Sequence, residues 1–267
     1  MPNTHTAETL LIEGPDAMSF AHAQFSSSVK SLLAGQWQFS AWLDPQGRVR
    51  VLFHLARIGE ERYLLLLRGG SAADMVNSLQ HYVFRAKLTL SAQPPRQLTT
   101  GPALPLHAIS DAAESIAFGC DTHSLQVTPT GSVQDDWCLL QLREGWPWLP
   151  ASTLNKLLPA ALSLQRLQAV AIDKGCYPGQ EIVARLHFRS AHKWHLHRGT
   201  LSQAAEPGLV LHIDDRDVGC VLEMVVSDLG NEVLLVLKDE VMQQATPDLA
   251  CAFDGQIKFR HLASWPA

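Results

Sequence analysis

The sequence predicts an α+β fold, with a ferredoxin-like N-terminal portion and a small C-terminal antiparallel β-barrel. Three observations carry this. Strand and helix patterns alternate through the first 95 residues. After His192 the texture changes to short strands broken by Gly, Pro and Asp. Of 267 residues, 46% are hydrophobic and 18% charged, an ordinary globular balance with enough chain for a real core.

Glu8–Glu13 reads as a strand stopped by Gly14-Pro15-Asp16. Phe20, Ala23, Val29, Leu32 and Leu33 predict an amphipathic helix that ends at Gly35. Trp37–Leu43 and Val49–Ala56 are strands joined by the turn Asp44-Pro45-Gln46-Gly47. Arg62–Leu67 is a strand, and the helix carrying Met75, Val76, Leu79, Tyr82 and Val83 follows it, N-capped by Ser71 with Asp74 three residues on. Lys87–Leu90 completes a β–α–β unit, half of a ferredoxin-like split fold. Gln93–Gln97 is a candidate linker. Leu106–Ile109, Leu125–Val127 and Trp137–Leu142 read as strands, and Leu157–Val170 as loop and short helix. Trp194–Leu201, Leu209–Ile213, Val218–Val226 and Glu232–Val236 are the strands of the expected barrel.

A net charge of −5 and a pI near 6.2 give no push toward nucleic acid, so no direct nucleic-acid partner is expected. No apolar run reaches membrane-spanning length, and Met1–His5 lacks the character of a signal peptide. The five cysteines (Cys120, Cys138, Cys176, Cys220, Cys251) are scattered and form no C-x-x-C pair. That argues against a disulfide framework or a zinc ribbon and points to a reducing, cytoplasmic setting. His187, His192, His195 and His197 share no clean ligand spacing. His195 and His197 alternate with Trp194 and Leu196 as the solvated face of a strand does, so no metal site is expected. Asp214-Asp215-Arg216-Asp217 reads as a charged turn.

The most informative stretch is Lys174-Gly175-Cys176-Tyr177-Pro178-Gly179-Gln180-Glu181. Pro178-Gly179 is turn chemistry. Ile182, Val183 and Leu186 recur at helical spacing, so Gly179-Gln180-Glu181 opens a helix. A cysteine just ahead of that helix, with Lys174 and Arg185 near in sequence, favours thiolate, a better nucleophile or metal ligand. The alternative is a structural loop in which Cys176 is a small buried hydrophobe.

The octapeptide resembles the K-G-C-[FY]-x-G-Q-E signature of the YgfZ family, folate-binding proteins that support iron–sulfur enzymes and are related to the aminomethyltransferase of the glycine cleavage system. The match runs on through Leu167–Asp173 upstream and through Ile182-Val183-Ala184-Arg185 and Phe188–Lys193 downstream. Asp136–Pro147 resembles the family's W-x-x-x-x-I-x-x-G-x-P segment, in which the tryptophan contacts folate. Trp137 is thereby a candidate stacking platform for tetrahydrofolate, or else a core tryptophan.

The resemblance implies three lobes around a central folate cleft, at 1–95, 96–191 and 192–267. It implies Cys176 as the reactive or cluster-contacting thiol. Lys174 and Arg185 lower its pKa or hold an anionic tail, Gly175 and Gly179 shape the loop, and Gln180 and Glu181 anchor it; Trp137, Gly175, Tyr177, Gly179, Gln180, Glu181 and Arg185 are the expected folate-binding residues. A monomer with iron–sulfur client or assembly proteins as partners is expected.

The chain also departs from its relatives. Arg50 and Val51 stand where the aminomethyltransferase branch carries its catalytic carboxylate, and an arginine is never a base at neutral pH. The family's G-Q-x-[TS]-[NA]-D run is Ala23-Gln24-Phe25-Ser26-Ser27-Ser28 here, and a further folate-stacking tryptophan has no equivalent among Thr6, Ala7 and Glu8. The expected function is a folate-binding accessory protein for iron–sulfur cluster assembly or repair, indirectly supporting tRNA modification, and not a conventional enzyme. The alternative is a folate-dependent, aminomethyltransferase-like enzyme, for which Asp44 and Asp173 are the nearest candidate bases.

Overall fold

A computed structural model describes residues 6–112, 114–129, 136–189, 192–244, 251–253 and 256–265. The Met1–His5 and Ser190-Ala191 readings lie outside them. The fold is α+β with three antiparallel sheets. Two compact units make up the chain, each gathered from separate stretches. The first takes Met1–Leu43, Arg50–Trp137 and Gln168–Pro178; the second takes Asp44–Val49, Cys138–Leu167 and Gly179–Ala267.

In the first unit the elements run β1 (Thr6–Ala7), β2 (Thr9–Glu13), α1 (Ala17–Gln24), β3 (Gln36–Leu43), β4 (Val49–Gly59), β5 (Arg62–Leu67), α2 (Ala72–Gln80), β6 (Thr89–Ala92), β7 (Arg96–Gly101), β8 (Ile109–Ala112), β9 (Ser115–Gly119) and β10 (Ser124–Thr128). One sheet has the order β3-β4-β5-β2-β6. Strand β2 runs antiparallel to both β5 and β6, so β5-α2-β6 is a split β–α–β arrangement. Ser71 caps α2, its hydroxyl accepting from the Asp74 N–H at 3.3 Å.

The period of two sorts the side chains of this sheet. Leu10, Ile12, Phe53, Leu55, Tyr63, Leu65 and Leu67 join Phe20 of α1 and Met75 and Leu79 of α2 in one core. The residues between them face the second sheet, ordered β1-β7-β10-β9-β8, where the His54 ring lies 5.5 Å from that of Phe118. Both faces are covered, which explains the unbroken apolar run of β5.

The second unit holds most of α3 (Asp136–Arg143), then α4 (Gln180–Arg189), β11 (Trp194–Leu201), β12 (Val210–Ile213), β13 (Arg216–Ser227), β14 (Gly230–Lys238), α5 (Asp239–Gln244), β15 (Cys251–Phe253) and β16 (Ile257–Trp265), with short 3-10 turns at Ala151–Thr153 and Pro159–Leu162. Its sheet has the order β12-β13-β14-β11-β16-β15 over a core of Leu201, Leu211, Val221, Leu235, Leu237, Phe253 and Phe259.

Four expectations are corrected. The barrel is an open sheet among the described residues, because no ladder joins its edges β12 and β15. Those edges are four and three residues long, and bulges interrupt β12–β13, β13–β14 and β11–β16, so the even stagger that closure needs is missing.

Trp137–Leu142 is helical rather than extended. Trp137, Cys138, Gln141 and Leu142 are buried, a helical spacing, and Gly145 at φ +66° ends the helix. The Trp146 N–H reaches the Gln141 carbonyl at 3.0 Å and the Gly145 N–H reaches that of Leu142 at 3.0 Å, the pair of bonds of a Schellman cap.

Helix α1 stops at Gln24 instead of continuing to Leu33. Ser26 leaves it to pair with β3, its N–H donating to the Ala41 carbonyl at 2.9 Å and its hydroxyl accepting from the Ala41 N–H at 3.0 Å. His197 is 5% exposed, so it belongs to the interior and not to a solvated face.

Candidate functional site

The centre of the signature is built within the first unit. The segment 169–177 lies against the turn 22–28 that follows α1. The Ser26 hydroxyl donates to the Ala169 carbonyl at 2.7 Å, and the Ala171 N–H donates to the Ser26 carbonyl at 2.8 Å.

The last carbonyls of α1 lack intrahelical partners. Lys174 meets that need. Its ammonium donates to the carbonyls of His22 (2.6 Å), Phe25 and Ser27 (2.8 Å), which uses all three of its N–H groups. It also lies 4.9 Å from the centroid of the Tyr177 ring. Burial lowers the Lys174 pKa to about 8, so at neutral pH the side chain is still mostly cationic.

Tyr177 closes the segment. Its hydroxyl donates to the Ala171 carbonyl at 3.0 Å, and burial pushes its pKa up to about 12. Cys176 sits between these two pinned residues and is exposed, whereas Cys120 and Cys138 are buried. Burial raises the Cys120 thiol to about 12 and the Cys220 thiol to about 11, which makes both poor thiolates at neutral pH. Among the described cysteines, Cys176 is therefore the thiol offered to a partner by exposure. Gly175 beside it is also exposed, and a Cβ there would meet nothing within 4 Å.

The second half of the octapeptide belongs to the second unit. Gly179 sits at φ +79°, and a Cβ on it would lie 2.5 Å from the Asp44 carbonyl oxygen and 2.7 Å from the Gly47 Cα. Only glycine allows that backbone approach. Gln180 and Glu181 open α4 as the spacing predicts, and Arg185 is exposed on it. The division of the chain between the units falls inside the octapeptide, after Pro178: Lys174, Gly175, Cys176 and Tyr177 belong to the first unit, and Gly179, Gln180 and Glu181, with Arg185 beyond them, to the second.

Trp137 is 1% exposed. Its indole has no open face here, so it fits a folate ring only where a neighbour moves aside. Trp42 is likewise covered, with the Arg50 guanidinium 3.8 Å above its ring centroid. Asp44 accepts the Arg48 N–H at 2.8 Å as a turn residue, and Asp173 is exposed. Among the described residues, no three of His, Cys, Asp and Glu come together as metal ligands. No helix described is long and apolar enough to cross a membrane.

Sequence reasoning missed the receiving side of this site. Ser27 bonds Ser40 hydroxyl to hydroxyl at 2.7 Å, and the Gln38 amide donates to the Ser27 hydroxyl at 2.7 Å and the Ser28 carbonyl at 2.9 Å. The available signal was the serine run at the end of a helix pattern, which marks a backbone that bonds to side chains instead of continuing the helix.

No protein-family model matches the chain. Among curated proteins, an uncharacterised protein of Haemophilus influenzae is 28% identical over 189 residues, 68% of this chain and 66% of that protein. The tRNA-modifying protein YgfZ of Sodalis glossinidius is 24% identical over 302 residues, 90% of this chain and 92% of the relative. YgfZ of Klebsiella pneumoniae is 26% identical over 272 residues, covering 87% and 83%. The chain is similar to the YgfZ proteins over most of its length.

The solved structure of the glycine cleavage system aminomethyltransferase T from Bartonella henselae superposes with a TM-score of 0.71 at 14% identity, over 96% of this chain and 82% of that one. The two proteins share a fold. Beside these likenesses, the pinned and exposed Cys176 is the feature of the signature that asks for a chemical role.

Proposed function

We propose that this protein belongs to the YgfZ family and is a cytoplasmic, folate-binding accessory factor in iron–sulfur cluster assembly or repair, and that it supports tRNA modification through the iron–sulfur enzymes it serves. The supporting observation is the Cys176 segment, where an exposed thiol stands between Lys174, tied to the turn after α1, and the buried Tyr177, which bonds back to Ala171. The names of the relatives supply the link to tRNA modification.

In this reading Cys176 is a transient ligand or acceptor. A cluster normally takes four protein ligands, so one thiolate shares it with a client or with small thiols. Tetrahydrofolate binds in the cleft that the family resemblance implies, with Trp137 as its stacking platform once uncovered and Arg185 as a candidate partner for an anionic tail. A one-carbon transferase reading has the fold in its favour but lacks a base, because Asp44 serves its turn and Arg50 is a cation stacked on Trp42.

The test is complementation. In a strain lacking the protein, wild type restores the level of tRNA modifications made by iron–sulfur enzymes, whereas Cys176→Ala, produced at equal abundance, leaves them at the level of the deletion. Full restoration by Cys176→Ala removes the thiol from the account.

A further inference from the structure

The charge of Lys174 is spent on neutral groups. Its ammonium is directed at the carbonyls of His22, Phe25 and Ser27. Three main-chain oxygens converging on one nitrogen, with an aromatic face 4.9 Å away, is how a small monovalent cation is held. Position favours a cation there as well. His22 lies in the last turn of α1 and Phe25 is its C-cap, where unpaired carbonyls carry the partial negative charge of the helix.

The turn is fixed before the cation arrives. Ser26 is bonded to Ala41, Ser27 to Ser40 and Gln38, and the Val29 N–H to His22 Nδ1 at 3.3 Å. The segment bearing the thiol has less of its own. It holds to the body through Ala169, Ala171 and Lys174, Tyr177 bonds back to Ala171 within the segment, and its tip at Gly175 is open.

We propose that the carbonyls of His22, Phe25 and Ser27 form a receptor for a monovalent cation of ammonium type, that the Lys174 side chain is its tethered occupant, and that this occupation positions Cys176. Lys174 is thus a positioning residue, acting through the main chain instead of on the sulfur. The inference rests on Cys176 being the working thiol only for its biological meaning; the receptor itself stands on geometry.

The experiment is amide hydrogen exchange on the full-length chain, read at Ala171, whose N–H donates to the Ser26 carbonyl. In Lys174→Ala this amide exchanges faster by about tenfold or more, the factor expected when charge-assisted hydrogen bonds are lost. Ammonium chloride restores most of the protection, and sodium chloride at equal ionic strength does not. Lys174→Met, which keeps the stem and fills the space, stays unprotected in both salts. Cys176→Ala keeps wild-type protection, because the thiol is held and holds nothing.

Wild-type exchange in Lys174→Ala, or equal rescue by both salts, overturns the receptor. None of these readouts involves folate or clusters, so the receptor and the proposed function fail separately.

Discussion

The Ser27 carbonyl and the Lys174 ammonium meet at 2.8 Å across 147 residues of chain. This bond ties the turn after the first helix to the signature segment. It makes the run Phe25-Ser26-Ser27, of which Ser27 departs from the family pattern, part of the frame on which Cys176 is presented. The lysine reads in sequence as a charge for the thiol. In the structure its donors are consumed by main-chain oxygens.

The two glycines of the octapeptide predict opposite outcomes. Gly179→Ala forces a Cβ against the Asp44 carbonyl at a left-handed φ and is expected to cost about 2–4 kcal/mol. Gly175→Ala meets open space and stays within about 0.5 kcal/mol of wild type. Urea denaturation of the two variants decides. Equal stabilities contradict the close approach at Gly179.

The fold is expected to weaken in mild acid. Burial, then Arg68 and His107, holds the fully buried His54 well below its usual pKa; burial, then His261 and His195, brings His197 to about 4. Both are neutral in the fold at pH 6.5, while the unfolded chain takes up protons below that value. Stability is therefore full above about 6.5 and declines as pH falls, for His197 down to about 4, by up to about 1.4 kcal/mol per pH unit for each group. Unfolding free energies at pH 7.5 and 5.5 should differ by up to about 3 kcal/mol, and His54→Leu/His197→Leu should flatten the profile. An unchanged slope in the double variant contradicts the assignment.

Arg143 and Glu232 form the other electrostatic joint, within the second unit. The Glu232 side chain is 0% exposed. Burial alone would raise its pKa, yet Arg143, Ser227 and Arg198 outweigh it and the pKa is lowered. Arg143→Met leaves a buried carboxylate short of its partner and should cost about 3 kcal/mol near neutral pH. A lowered carboxyl pKa contributes stability above the unfolded value that is lost in acid, so the gap between variant and wild type should close as pH falls below about 4.5. A gap independent of pH would assign the loss to packing alone.

Much of this was legible beforehand, for reasons tied to particular residues. The strands of the first sheet, the Ser71 cap and the helix after Gly179 carry local signals: alternation, a capping hydroxyl, a turn glycine. The misreadings fall where tertiary contacts override local pattern. Trp137–Leu142 is rich in apolar residues at both periods, and only its burial on one helical face and the Gly145 cap settle it as a helix.

His197 alternates as an outward residue should, yet it is buried beside the His261 ring. Closure of the C-terminal sheet depended on edge lengths and bulges that no strand pattern shows. At the site, the sequence singled out Cys176 and Lys174, but the carbonyls that hold Lys174 belong to the backbone and leave no mark in residue identity.

The measurement that bears most directly on the central claim is tetrahydrofolate binding by calorimetry on wild type, Trp137→Phe and Cys176→Ala. The account predicts binding by wild type, unchanged binding by Cys176→Ala, and a loss of up to about tenfold in Trp137→Phe, the scale of aromatic stacking beyond simple burial. Absence of binding by folded wild type would contradict the folate assignment.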